Sequence, residues 1–327
     1  MGAMRILVVR LSSMGDVIHA LPAVASLKHS FPRSTLTWVI RTKWGSLLEG
    51  NPFVDKVVPI ERTAGGALAA VRELRRERFD VVVDFQGLLQ SALVAAFARA
   101  DKKVGLHRSQ ARERAAALFY STAVLTKAPH RVDRNLELAA AAGASSLLHV
   151  FPLPEGAPEG TLPEGRFVLA SPLAGWESKQ WPFEFYEEVA RKLRMQLGMP
   201  LVVNGPPQSA GLLARVPGAQ IHLSGVAGLI DATRRAYAVI GVDSGPLHLA
   251  AALGKPGVAI YGPTDPASHG PYGGSIRVLR SADAVTSYKR RTEIDQSMRA
   301  ISPGAVLEAL EEALKSASLK LPAKAQA

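Results

Sequence analysis

Short, continuous apolar runs alternate along this chain with stretches whose apolar residues recur at helical spacing. Ile6, Leu7, Val8 and Val9 form the first run, of the kind expected for a strand buried on both faces of a parallel sheet. Ser12-Ser13-Met14-Gly15-Asp16 then makes a turn. Val17, Leu21, Val24 and Leu27 follow, three or four residues apart, as one face of a helix. Continued along the first half, the pattern predicts strands over 5–11, 35–40, 56–60, 80–85 and 103–106, with helices notably over 67–78 and 88–99. Strands and helices alternating at this spacing imply a parallel sheet covered on both faces.

Residues 150–165 (VFPLPEGAPEGTLPEG) break the pattern with dense Pro and Gly, the composition of a linker. The alternation restarts at 166–171, with further strands over 200–204, 220–223, 238–243 and 257–261 and helices over 182–197, 229–236 and 246–253. Pro303 opens a last amphipathic helix running to about residue 316, and 315–327 reads as a frayed tail. The expected fold class is α/β. Two doubly wound, Rossmann-like domains, 1–150 and 166–327, are joined by a linker at 151–165 and face each other across a cleft. Ligands of such sheets bind at the carboxyl ends of the strands. Asp16 lies at that end of the first strand, where it either caps its helix or is placed for chemistry.

A length of 327 residues exceeds what one core usually serves, which agrees with two domains. With 47 % hydrophobic and 20 % charged residues the chain is of the folded, globular kind. No apolar run reaches the roughly 18 residues of a membrane span. Arg10 and Asp16 interrupt the first run too early for a signal peptide. Met1-Gly2-Ala3 reads as an addition ahead of Met4, and Ile6 stands where a myristoylation signal needs Ser or Thr. The absence of cysteine excludes disulfides, thiolate nucleophiles and Cys-based metal sites, and the cytoplasm is the expected compartment. The net charge of +11 is uneven: residues 1–150 carry 21 Lys and Arg against 12 Asp and Glu, the remainder 18 against 16. A basic first half points to nucleic acid, an acidic lipid surface or a phosphorylated substrate, or is plain solubility charge.

The second half holds three candidate elements at predicted strand ends. In Val242-Asp243-Ser244-Gly245-Pro246-Leu247-His248, Pro sits at the first turn of a helix. The free N–H groups and dipole there favour an anion, small residues let a phosphate approach, and His248 leans toward the same place. Gly175-Trp176-Glu177-Ser178-Lys179-Gln180-Trp181-Pro182 puts a lysine, a compact point charge suited to a diphosphate, in a loop after a strand. Trp181 reads as core. Tyr261-Gly262-Pro263-Thr264-Asp265-Pro266 is a rigid turn after another strand. No GxGxxG follows a strand, and no GxxxxGK[ST], HExxH or metal-ligand spacing occurs.

Taken in order, Arg10-Leu-Ser-Ser-Met-Gly-Asp-Val17 with His19 and Leu21-Pro22, Asp84-Phe-Gln-Gly-Leu88, Lys179-x-Trp-Pro182, Asp243-Ser-Gly-Pro-Leu-His248 and Tyr261-Gly-Pro-Thr-Asp-Pro266 resemble the lipopolysaccharide heptosyltransferases of glycosyltransferase family 9. The likeness runs from about Met4 to past Tyr272. Ser12 to Asp16, Asp84 to Leu88 and Arg112 to Tyr120 look most like the heptosyltransferase I branch, which adds the first inner-core heptose to Kdo on lipid A.

The resemblance implies the GT-B fold, with the last helix returning to the N-terminal domain. It also implies inverting transfer without a metal or other cofactor, using an ADP-heptose donor held by the C-terminal domain and an anionic Kdo-lipid A acceptor held by the N-terminal one. By position Asp16 corresponds to the catalytic base and Lys179 to the donor-phosphate lysine. Asp243, Ser244, Gly245 and His248 correspond to donor contacts. Ala174-Gly175 replaces a Thr-Thr pair of some relatives, so that backbone N–H groups take over there. Gln208-Ser209 follows Gly205-Pro-Pro207 where a relative has a ribose-binding Glu, and Ser209 is the expected contact. Ser13, Gly15, Arg62 and Arg112 are the expected acceptor residues, with Arg41, Lys43, Arg108 and Arg114 as further basic candidates. The implied partners are the two substrates and the anionic cytoplasmic face of the inner membrane, not nucleic acid. No oligomeric state is assigned. The competing readings are a family 9 enzyme with a different acceptor, a nucleotide-sugar epimerase, and a non-catalytic nucleotide-sugar-binding protein.

Overall fold

A computed structural model describes residues 3–320; Met1-Gly2 and the end of the expected tail, 321–327, lie outside the described residues. The chain divides into two compact units, Met1–Pro154 and Glu155–Ala327, the division falling inside the Pro- and Gly-rich stretch.

The first unit contains β1 (Arg5–Val9), α1 (Met14–Ser30), β2 (Thr35–Arg41), β3 (Lys56–Ile60), α2 (Ala64–Leu74), β4 (Arg78–Asp84), α3 (Leu89–Phe97), β5 (Arg99–Leu106), β6 (Thr122–Val124) and α4 (Arg131–Ala142). Its sheet runs β3-β2-β1-β4-β5-β6, all parallel. β1 is central, with Val8 opposite Trp38 on one side and Val83 on the other. That position is why Ile6 to Val9 are apolar without alternation and wholly buried. Ala70 and Leu74 of α2 and Val94 and Ala95 of α3 close one face over Leu7, Val9, Val39 and Val82, while α1 packs on α4.

The second unit contains β7 (Val168–Ser171), α5 (Phe183–Leu197), β8 (Leu201–Gly205), α6 (Ala210–Leu213), β9 (Gln220–Leu223), α7 (Val226–Arg235), β10 (Ala238–Val242), α8 (Gly245–Ala252), β11 (Gly257–Tyr261), α9 (Pro266–His269), β12 (Ile276–Arg280), α10 (Gln296–Arg299) and α11 (Pro303–Lys320). Its parallel sheet, β12-β11-β10-β7-β8-β9, repeats the connectivity of the first. In each unit the strand order reverses between the first and fourth strands, the place where open α/β sheets bind ligands.

Three sequence expectations are corrected. α2 begins at Ala64, where Thr63 Oγ1 accepts from Gly66 N–H at 3.1 Å, and ends at Leu74, four residues early; Arg78 already pairs with Arg99 in the sheet. β6, α4 and β12 were not anticipated. β6 is a three-residue edge strand, and β12 is an edge strand exposed over Arg277 and Val278. Finally, α11 continues through the expected tail to Lys320 and packs on α5, β11 and β12 of its own unit. Buried Val306, Leu310 and Ala313 join the core around Trp181, Leu193 and Ile260. Trp181 is wholly buried, edge-on to Tyr186 at 4.9 Å, with its N–H donating to Ile301 O at 3.0 Å.

Candidate active site

In the first unit the turn after β1 places Asp16 in the first turn of α1, its carboxylate at the carboxyl edge of the sheet. Oδ1 lies 2.5 Å from Arg10 Nη2. Oδ2 accepts the Ser13 backbone N–H at 3.1 Å and the Ser13 hydroxyl at 2.8 Å. Arg10 is only 4 % exposed and also donates to Phe85 O across the β1–β4 junction. Burial alone would raise the pKa of Asp16. The Arg10 charge, the Ser13 N–H and the charges of Arg131 and His19 outweigh it and hold the carboxyl well below the usual range. The result is an ionised carboxylate that keeps 28 % of its side-chain surface exposed, and so can receive a proton.

A second carboxylate organises the neighbouring loops. Asp84, at the end of β4, is wholly buried. Its Oδ1 accepts the N–H groups of Gln86 (2.8 Å) and Gly87 (3.3 Å), and its Oδ2 the hydroxyls of Ser91 and Tyr120, each at 2.7 Å. Burial raises its pKa despite these donors. Gln86 Oε1 in turn accepts the N–H groups of Leu11 (2.8 Å) and Ser12 (3.3 Å), so this hub fixes the loop that presents Asp16. Gly105 is required beside it: a Cβ there would stand 2.3 Å from the Tyr120 ring.

The expected acceptor residues divide. Ser13 is the N-cap of α1, with its hydroxyl directed at Asp16, and Gly15 is buried in the next turn. Arg62 and Arg112 are exposed, and no ion pair joins either to Asp16. The loop of Arg112 is anchored at the same edge by Glu113, whose N–H donates to Gly87 O at 3.1 Å and whose carboxylate accepts Leu89 N–H at 2.5 Å. Sequence reasoning missed Arg10 and Asp84 as partners. Both stand inside quoted motifs, and the signal was a charged residue directly at the end of an apolar strand run.

In the second unit, loops after the adjacent strands β7 and β10 bring Lys179 and Asp243 together. Lys179 Nζ is 2.5 Å from Asp243 Oδ2 and 4.3 Å from the Trp176 ring centroid, and His248 Nε2 is 3.7 Å from Asp243 Oδ1. Burial would raise the pKa of Asp243; His248 and Lys179 overcome it and hold it well below the usual range. Ser244 caps α8, whose second residue, Pro246, has no N–H to leave unpaired. The buried hydroxyls of Ser178, Ser244 and Thr264, on loops after β7, β10 and β11, have no hydrogen-bond partner among the described residues. The Lys–Asp–His cluster at a helix N-terminus, with the unpartnered hydroxyl of its cap Ser244, makes a place suited to a bound anion. Thr264 belongs to the turn read only as a rigid connection.

Gly175 is exposed with open space where a side chain would stand, and Ala174 is half-buried beside it. Ser209 is buried and its hydroxyl donates to Pro206 O at 2.6 Å, which leaves its oxygen as an acceptor, and Gln208 on the same turn is exposed. Among the described residues no three His, Cys, Asp or Glu side chains are grouped to hold a metal ion, and no helix is long and apolar enough to cross a membrane.

Two units of identical connectivity, one presenting an ionised carboxylate and the other a Lys–Asp–His cluster at their sheet edges, have the architecture of the GT-B class. The comparisons resolve the class further. The profile of glycosyltransferase family 9 (heptosyltransferase) matches residues 67–298. The chain is 30 % identical over 298 residues to lipopolysaccharide heptosyltransferase 1 of Pseudomonas aeruginosa, covering 83 % of this chain and 82 % of that one. It is 29 % identical over 351 residues to lipopolysaccharide heptosyltransferase 2 of Salmonella typhimurium, covering 95 % and 99 %. The solved E. coli heptosyltransferase WaaC with ADP-2-deoxy-2-fluoro heptose superposes with a TM-score of 0.75 at 27 % identity, covering 94 % of this chain and 99 % of that one. The chain belongs to glycosyltransferase family 9.

Proposed function

We propose that this enzyme transfers heptose from ADP-L-glycero-D-manno-heptose to Kdo of the lipid A–Kdo inner core, with inversion and without a metal. The observation that carries the reading is Asp16, an ionised, part-exposed carboxylate at the sheet edge of the unit with the basic surplus. The heptosyltransferase 1 relative and the solved WaaC complex, whose ligand is an ADP-heptose analogue, supply the donor.

Asp16 takes the proton of the acceptor hydroxyl while the oxygen bonds to the anomeric carbon. Its low pKa makes it a weak base, so the proton moves only as the new C–O bond acidifies the hydroxyl. A positioned base of this kind contributes about 10²–10⁴ in rate. The departing ADP carries the developing negative charge. Lys179, the Ser244 hydroxyl and the first N–H groups of α8 stabilise it, as preorganised donors do. The diphosphate competes with Asp243 for Lys179, and His248 stands within 3.7 Å of Asp243 to balance its charge meanwhile. Asp243 then orients sugar hydroxyls. Gln208, exposed on that turn, and Ser209, whose hydroxyl oxygen can still accept, are the groups for the ribose. Arg62 and Arg112 meet the acceptor anions. The basic first unit also draws the enzyme to anionic lipid, at about 1 kcal/mol per cationic side chain near the surface.

The test is ADP release from ADP-heptose with Kdo-lipid A, with the already heptosylated acceptor, and with none, each with and without chelator. Release that needs Kdo-lipid A and ignores chelator supports the reading. Preference for the heptosylated acceptor replaces it with a later transfer, acceptor-free sugar conversion with an epimerase, and no turnover with a binding protein.

A further inference from the structure

An apolar groove of about 490 Å³ lies between α2 and α3 of the first unit, away from the hub of Asp84. Leu68, Val71, Leu93 and Phe97 line it, and Arg72 and Arg75 stand at its rim. Leu68 and Phe97, 49 % and 51 % exposed, leave their apolar surface open to water, at a cost that a folded protein usually avoids unless something covers them.

One end of the groove is cationic. Its lining includes Ile60, the neighbour of Arg41 across the β2–β3 pair, and Gln90, whose Oε1 accepts from Arg41 Nη2 at 2.9 Å. The other two guanidinium nitrogens of Arg41, Nε and Nη1, are buried without a hydrogen-bond partner among the described residues. Arg62 is near enough that, after burial itself, its charge lowers the pKa of Arg41, and the neighbouring carboxylate of Glu61 only partly opposes this. A guanidinium with two unmet donors, within the influence of a second arginine's charge, calls for an anion. Arg41 also touches the chemistry: its backbone N–H donates to Leu11 O at 3.1 Å, at the start of the loop that carries Asp16. An apolar slot with Arg41 at its end, and that arginine's backbone bonded to the start of the Asp16 loop, is complementary to an amphiphile, tail in the slot and anionic head at the arginines.

We propose that the α2–α3 groove receives one acyl chain of the lipid-anchored acceptor, with Arg41 and Arg62 pairing with its phosphate or carboxylate groups. This rests on the acceptor reading above and adds a second recognition element to it: the enzyme grips the lipid as well as the sugar. Each methylene that enters the groove strengthens binding about fourfold.

The test uses alkyl phosphates below their micellar concentration, by calorimetry on the intact protein. Dodecyl phosphate should bind at least 100-fold tighter than hexyl phosphate. Leu68→Glu, at an exposed helix position, should lower dodecyl phosphate affinity at least tenfold with an unchanged melting temperature. Arg41→Ala should weaken both ligands. Equal affinity for the two chain lengths, or indifference to Leu68→Glu, overturns the proposal. So does Leu68-dependent binding to phosphatidylglycerol vesicles without binding of monomeric dodecyl phosphate, which would make the groove a bilayer contact. Neither donor nor Asp16 enters these measurements. Failure of the transfer reading would instead appear as missing acceptor-dependent ADP release with dodecyl phosphate binding intact.

Discussion

Lys179 can act as a diphosphate ligand or merely as the counter-charge of Asp243, and one pair of variants separates the roles. In Lys179→Met, Asp243 loses its partner at 2.5 Å and keeps only His248 at 3.7 Å. Breaking a buried ion pair from one side costs about 3–5 kcal/mol. With side chains 16 % and 10 % exposed and His248 still present, about 2 kcal/mol is the appropriate figure here, discounted for solvent screening. At about 2–4 °C per kcal/mol the melting temperature of the second unit should fall by about 4–8 °C. ADP should also lose one charge-assisted contact, about 1.5–3 kcal/mol, which is about 10- to 150-fold in Kd by calorimetry. The double variant Lys179→Met/Asp243→Asn then decides. It removes the unpaired charge, so stability should return to within about 1 kcal/mol of the parent. ADP affinity should stay low because the diphosphate still lacks its cation. Recovery of ADP affinity along with stability would refute the phosphate role and leave Lys179 as a structural counter-ion.

Other consequences follow from the first unit. Asp84→Asn should be nearly neutral in chemical denaturation, since the amide oxygen can accept from Gln86 and Gly87 while its NH₂ donates to the Ser91 and Tyr120 hydroxyls; Asp84→Ala strands the Gln86 and Gly87 N–H groups and the Tyr120 hydroxyl, the Ser91 hydroxyl still reaching Leu88 O, and should cost about 2–4 kcal/mol. Gly105→Ala drives a methyl to within 2.3 Å of the Tyr120 ring, and should cost about 1–3 kcal/mol by the same assay. The depressed pKa of Asp16 means that its contribution to stability is present above the ordinary carboxylate value of 3.8 and disappears only as pH falls through the lower folded-state value; likewise kcat/KM should show no acid limb from Asp16 near neutrality. Arg10→Gln removes the largest opposing charge and should move that limb upward in a pH–rate profile; an unmoved limb would exclude Asp16 as the titrating group.

The features legible in the sequence were those that repeat. Unbroken apolar runs such as Ile6 to Val9 announced central parallel strands because burial on both faces leaves no polar position. The small-residue turns at Ser12 to Asp16 and Asp243 to Gly245 marked the sheet edges where charge collects. Edge elements escaped: β6 is three residues long and β12 is half-exposed, so neither needs an apolar run. Partnerships escaped too. Nothing in local spacing says that Asp84 reaches Tyr120, 36 residues on, or that Ser209 turns its hydroxyl to Pro206 rather than outward. Nor could periodicity show that Arg41, at the end of β2, stands opposite Ile60 of β3, two residues before Arg62.

Single-turnover transfer by Asp16→Asn, run beside donor binding by calorimetry, tests the central claim most directly. The variant keeps one oxygen, for either Arg10 or the Ser13 N–H, and cannot take a proton. Transfer should drop by about 10²–10⁴ while the affinity for ADP-heptose, assigned by the proposal to the other unit, stays within about twofold of the parent. An Asn variant that transfers heptose at close to the parental rate would contradict the assignment of Asp16 as the base.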